Sequence, residues 1–195
     1  MFENGGDKVD KSDSTKNELI KSVIELLQEC NDVSEITSRK ITERAKTNLS
    51  TINYHFNSKD ELINIAVNKL IGSVADTYFH KIEDNKKTPK DKLRDFLVNI
   101  SDIVIDFRKY TKLTISYILL NGEFTQAIEM LPLVKDCFHG SKSDEECKII
   151  SYQLISFMQL VFYRADEFKS FSKIDIINKQ ERDRLIDIQL DIFIK

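Results

Sequence analysis

Apolar residues recur along this chain at i, i+3 and i+4, the spacing of one face of an α-helix. The first such stripe is Leu19, Ile20, Val23, Ile24 and Leu27, and Thr15-Lys16-Asn17-Glu18 stands before it. That tetrapeptide has the capping-box form, in which the threonine hydroxyl accepts from the third amide and the glutamate reaches back. Asn31 and Asp32 take the turn that ends this helix. A short helix fits Ser38–Lys46, capped by Thr37, with Ile41 and Ala45 facing inward. Another fits Leu49–Phe56, capped by Asn48, with Ile52 and Phe56 inward. Ser58-Lys59-Asp60-Glu61 is a second capping box and opens a long helix through Leu62, Ile65, Ala66 and Leu70 toward about Lys81.

Further on, Thr88-Pro89-Lys90-Asp91 combines a threonine cap with proline at the first helical position and an acid in the first turn. Leu93, Phe96, Leu97, Ile100, Val104 and Phe107 follow at helical spacing. Tyr110–Leu120 and Glu123–Phe138 are two more helical stretches, parted at Gly122, with Pro132 a point of bending in the second. Ser143 caps a strongly apolar helix through Ile150, Leu154, Phe157, Val161 and Phe162, and Asn178 caps a last one carrying Leu185, Ile188 and Ile192. No segment alternates apolar and polar residues between turn signals, and nothing repeats at 20–50 residues. The pattern predicts an all-α chain of about nine helices, with residues 1–14 a flexible leader and residues 15–62 a small N-terminal domain ahead of a larger one over 63–195.

Composition agrees and narrows the function. Two prolines and five glycines in 195 residues leave room for long helices. A net charge of −3 and a pI near 5.7 exclude a chain that coats nucleic acid along its whole surface, but not a local basic patch. Cys30, Cys137 and Cys147 lack C-x-x-C spacing and read as buried thiols of a reducing, cytoplasmic compartment. Three scattered histidines offer no metal cluster, so neither metal nor other cofactor is expected. No apolar run approaches the roughly 18 residues of a membrane span. A helical enzyme or carrier is the rival class, and no phosphate loop or nucleophile–base pair supports it.

Thr37–Leu62 carries the chemistry. Two helices of this length joined by Lys46-Thr47-Asn48 have the proportions of a helix-turn-helix, with small Ala45 where the helices must approach closely. The outward residues of the second helix are Leu49, Ser50, Thr51, Asn53, Tyr54 and His55, a surface without carboxylates, as a major groove demands. Between Thr37 and Lys59 five bases (Arg39, Lys40, Arg44, Lys46, Lys59) stand against the single acid Glu43.

Thr37-Ser38-Arg39-Lys40-Ile41-Thr42-Glu43-Arg44-Ala45, followed by Ser50-Thr51-Ile52-Asn53-Tyr54-His55-Phe56-Asn57-Ser58-Lys59-Asp60-Glu61-Leu62, closely resembles the N-terminal domain of TetR-type repressors. The resemblance spans Thr15–Leu62, and Tyr-His-Phe-x-Ser-Lys-Asp-Glu-Leu is its most diagnostic part. The sequence departs from the family at Lys46, where glycine is usual, at Thr47, where a buried aliphatic is usual, at Asn53 for tyrosine and at Asn31 for glycine. By resemblance, Tyr54, His55 and Lys59 touch phosphates, and Thr37 and Thr51 add hydroxyl contacts. Asn48, Leu49, Ser50 and Asn53 lie where base edges are read, although Asn48 also reads as a cap alone and Leu49 as packing.

The resemblance further implies a regulatory domain that binds an inducer, and a homodimer in which the last two helices, here about Ser143–Phe168 and Asn178–Ile194, form a four-helix bundle with their copies. The expected function is a regulator, a repressor by the family's habit, that binds a pseudopalindromic operator in double-stranded DNA and is released by a small, largely apolar effector. The alternative is a regulator of the same fold controlled by a protein partner or by no effector. A pocket for the effector would draw on Phe96, Asn99, Ile100, Phe107, Tyr117, Phe124, Gln153 and Phe157.

Overall fold

The computed structural model describes residues 6–30, 32–79, 87–122 and 124–194. Every regular element among them is helical: α1 (Gly6–Glu29), a 3-10 turn (Val33–Glu35), α2 (Ser38–Arg44), α3 (Leu49–Phe56), α4 (Lys59–Phe79), α5 (Pro89–Asp106), α6 (Arg108–Asn121), α7 (Thr125–Phe138), α8 (Asp144–Tyr163), α9 (Ala165–Ser172) and α10 (Lys179–Phe193). The all-α expectation holds, with ten α-helices among the described residues where about nine were expected. The additional one arises because the stretch expected over Ser143–Phe168 breaks at Arg164, whose φ of −112° and ψ of 41° leave the helical region.

Thr88 and Ser143 cap their helices as read, and each goes further and forms a capping box with both reciprocal hydrogen bonds. The one at Thr15 does not start its helix. α1 begins at Gly6, so residues 6–14 of the expected leader are helical. A helix already nucleated on the buried stripe Leu19–Leu27 extends upstream at little cost where no proline intervenes, and a cap sequence inside it is bypassed. Residues 1–5, the Asn31 part of the first turn, the expected end of α4 near Lys81 and Glu123 lie outside the described residues. α7 runs unbroken through Pro132. α6 stops at Gly122, where any Cβ would lie 2.5 Å from the Ile118 carbonyl oxygen.

The chain forms two compact units. The first takes residues up to Ser73 together with Lys109–Tyr117, and the second takes 74–108 with Ile118–Lys195. In the first, Leu19, Val23 and Leu27 of α1 close a core with Ile36, Ile41, Ile52, Phe56, Leu62 and Ala66, and Tyr110 packs against it. Lys109 donates its ammonium to the carbonyls of Leu27 and Cys30, capping the C-terminal end of α1. In the second unit α7 packs on α5 and α8, and α10 packs on α5. Leu93, Leu97, Met130, Val134, Leu154, Ile186 and Leu190 fill that interior.

Ion pairs run along the α5–α10 seam: Lys90–Asp191 at 2.8 Å, Arg94–Asp187 at 2.5 Å, and Asp102 with both Lys179 and Arg182. Among the described residues no helix is long and apolar enough to cross a membrane.

Candidate nucleic-acid interface

The geometry of Thr37–Leu62 follows from how α2 ends and α3 begins. Thr37 is the extended N-cap of α2, its Oγ1 accepting from the Lys40 amide at 3.2 Å. At the other end the Thr47 amide donates to the Thr42 carbonyl at 2.9 Å, and the Lys46 amide to that of Glu43 at 3.3 Å. These paired reverse bonds require a left-handed residue after the C-cap, and Lys46 takes it at φ 51°. The turn therefore keeps the shape that glycine favours while carrying a lysine.

Asn48 then caps α3. Its Oδ1 accepts from the Thr51 amide at 3.2 Å, from the Thr51 hydroxyl at 3.0 Å and from the Ser50 hydroxyl. Thr47 Oγ1 lies 2.9 Å from Thr51 Oγ1, so a hydroxyl pair occupies the place expected of an aliphatic contact. This knot fixes the start of α3 and consumes the Asn48 acceptor. The bidentate adenine contact, which needs an amide oxygen and its NH2 together, is thus open to Asn53, exposed and free of side-chain hydrogen bonds among the described residues, rather than to Asn48.

Ile52 and Phe56 anchor α3 in the core, which turns its other face outward. Leu49 is 57% exposed and Tyr54 80%; Ser50 and Asn53 are exposed, and Thr51 and His55 half-buried. Leu49 is therefore a surface residue and not packing within the motif. The Tyr54 ring meets His55 edge-on with centroids 4.9 Å apart, which steadies a side chain otherwise free in solvent.

The exit from α3 is tighter than its sequence suggests. Asn57 adopts φ 57°, ψ −37°, and the Ser58 amide donates back to the Phe56 carbonyl. Ser58 caps α4 through the Glu61 amide at 3.0 Å, but Glu61 accepts from Asn57 Nδ2 instead of the Ser58 amide, so this capping box is half formed. Lys59 is half-buried, its ammonium 3.4 Å from the Ile36 carbonyl, which ties α4 to the segment leading into α2.

The local basic surplus is redistributed. Arg44 forms a two-pronged pair with Glu29 at 2.6 Å, with Glu25 at 3.6 Å, and these carboxylates raise its pKa while Arg44 lowers that of Glu29. Arg39 is paired with Glu43 at 2.8 Å, and Lys40 lies 3.8 Å from Glu35. Lys46 makes no ion pair among the described residues and stands beside the start of α3. Lys16 lies over the Phe56 ring at 5.8 Å, near the other end of that helix. Neither lysine figures among the sequence candidates. The turn geometry identifies Lys46, and the packing of α1 against Phe56 identifies Lys16.

The residues expected to line an effector pocket stand on several elements. Phe96 packs against the interior of the second unit, Asn99 and Ile100 are half-buried on α5, and Phe107 joins α5 to α6. Tyr117 belongs to the first unit. Phe124 is largely exposed and stacks edge-on with Tyr152 at 5.1 Å. Gln153 and Phe157 line an outward groove of about 520 Å³ between α8 and α10, together with Ser156, Leu160, Ile188, Gln189 and Ile192.

No family model matches the sequence, and no curated protein matches it. Among solved structures, the chain is similar to a TetR-like transcriptional regulator from Rhodococcus sp. RHA1, with a TM-score of 0.51 and 13% identity over 90% of this chain and 92% of that one. The chain has the all-α fold of a TetR-like regulator.

Proposed function

We propose that this chain is a DNA-binding transcriptional regulator, acting as a repressor on a pseudopalindromic operator. The observation that carries the reading is the outward face of α3: Leu49, Ser50, Asn53 and Tyr54 project without a carboxylate among them, and the helix is held rigidly from behind by Ile52 and Phe56. α3 enters the major groove, where Asn53 reads a base edge and Leu49 lies against a thymine methyl. Tyr54, His55 and Lys59, with Thr37 and Thr51, contact phosphates, and Lys46 and Lys16 add to them at the two ends of the helix. The fold shared with a TetR-like regulator supports the same reading.

Two copies pair through α8 and α10. Ile149, Leu160, Tyr163, Ile188 and Ile192 leave an apolar face open along these helices, and pairing two such faces buries it. Each dimer then presents two copies of α3 to successive major grooves. In the ligand-responsive form a small, largely apolar effector releases the DNA by favouring the conformation that cannot bind it. The second reading is a regulator of the same fold in which a protein partner, or no effector, controls the DNA-binding unit.

Selection of bound sequences from random duplex DNA tests the proposal. The full chain is expected to recover a palindromic site, with binding that weakens as salt rises. Tyr54→Ala is expected to weaken binding to all sequences about equally. Recovery of no palindrome, or unchanged binding by the variant, counts against the reading.

A further inference from the structure

Building on the DNA-binding reading above, we infer that Ser50 fixes one position of each half-site by accepting from an exocyclic base amine, so that adenine or cytosine is taken there and thymine or guanine refused. The placement of hydrogens at the start of α3 carries this. The Thr51 backbone amide can only donate, so the Asn48 side-chain atom it meets at 3.2 Å is the carbonyl oxygen, Oδ1. That oxygen has no hydrogen of its own. The Ser50 hydroxyl bonded to it therefore supplies the hydrogen between them.

A serine hydroxyl has one hydrogen and two lone pairs. With its hydrogen turned to Asn48, the exposed Ser50 oxygen offers lone pairs alone. Phosphate oxygens only accept, so the DNA backbone gives this atom no bond. In the major groove the matching donors are the N6 amine of adenine and the N4 amine of cytosine, whereas thymine O4 and guanine O6 are acceptors.

Ser50 lies beside Leu49 in the first turn of α3, where a recognition helix meets base edges. A freely rotating serine bonds either kind of base. This one donates to a base carbonyl only by giving up Asn48. Asn48 is thus a positioning residue: without touching a base, it decides which bases Ser50 takes.

The test uses the full-length chain and the palindromic site it selects from random duplex DNA. One position of the half-site is expected to admit adenine or cytosine. In competition, thymine or guanine there is expected to weaken binding roughly five-fold, the worth of one neutral hydrogen bond. Purine in place of an adenine at that position, which removes only the N6 amine, is expected to cost the same. Ser50→Ala is expected to level the four bases there and to leave the preferences at other positions as they were. Asn48→Ala keeps the serine but frees its hydrogen, so thymine and guanine are expected to rise to parity with adenine and cytosine. Each preference is a ratio within one variant, so a partial loss of folding by Asn48→Ala cancels.

If Ser50→Ala alters no base preference, or relaxes a position that held thymine or guanine, the inference is overturned while DNA binding stands. A preference for adenine and cytosine that survives in Asn48→Ala also overturns it. Recovery of no palindromic site by the unsubstituted chain overturns the regulator reading and the inference with it.

Discussion

Lys46 occupies a left-handed position for which its side chain gives no help. A non-glycine residue there is disfavoured by about 1 kcal/mol. Lys46→Gly is therefore expected to stabilise the chain by about 1 kcal/mol in urea unfolding while weakening DNA binding through the lost charge, so stability and affinity move in opposite directions. Asn48 and Asn53 separate in the same way. With its acceptor engaged by three donors, Asn48 works for the fold, and Asn48→Ala is expected to cost about 1 kcal/mol of stability. Asn53→Ala is expected to leave the melting curve alone and to relax discrimination at one base pair by about 1–3 kcal/mol, read by competition with single-base operator variants. A third residue-scale expectation concerns Cys137, whose thiol is pushed up to about 11 by burial and by the nearby Asp136 carboxylate. At pH 8 about a thousandth of it is ionised, so iodoacetamide labelling of Cys137, followed by peptide mass spectrometry, is expected to be very slow in the folded chain.

Elements were legible in the sequence to the extent that their ends depend on local chemistry. Thr88 and Ser143 cap where they were read because nothing upstream of them is helical among the described residues immediately before. Thr15 has the same letters and fails, because α1 continues past it. The α5–α10 seam was not legible at all, since it joins residues some 80–100 positions apart. Its core is Arg182, 3% exposed, bonded to Asp102 and to the Ile176 and Ile177 carbonyls. Burial works to raise the Asp102 pKa, but hydrogen bonds from Lys179 and Arg182 outweigh it and the pKa is lowered. The stability this contributes is present above the ordinary aspartate value of about 4 and is lost as pH falls through the lower folded value. Asp102→Asn leaves the Arg182 guanidinium buried without its counter-charge and is expected to destabilise the chain by about 3 kcal/mol at neutral pH, with the difference from the parent shrinking in acid-unfolding curves.

For the whole molecule, the helix-turn-helix was readable because it lies in one short stretch, whereas the effector pocket demanded knowledge of packing between distant helices. Phe96, Phe124 and Phe157 look alike in sequence, yet one is packed in the interior, one is largely exposed, and one borders the α8–α10 groove. The helix-turn-helix unit also reaches beyond its linear stretch. Lys109 caps α1 and Tyr110 packs on its core, although both follow Ser73 by more than a helix. A chain ending at Ser73 is expected to melt at lower temperature and less cooperatively than the corresponding transition of the full chain, as followed by circular dichroism. The discontinuity has an evolutionary side. A single crossover that joined this helix-turn-helix unit to a new second unit would carry away its own α1 cap, so exchange requires either two breakpoints or a recipient that already supplies a lysine and an aromatic residue at the matching place.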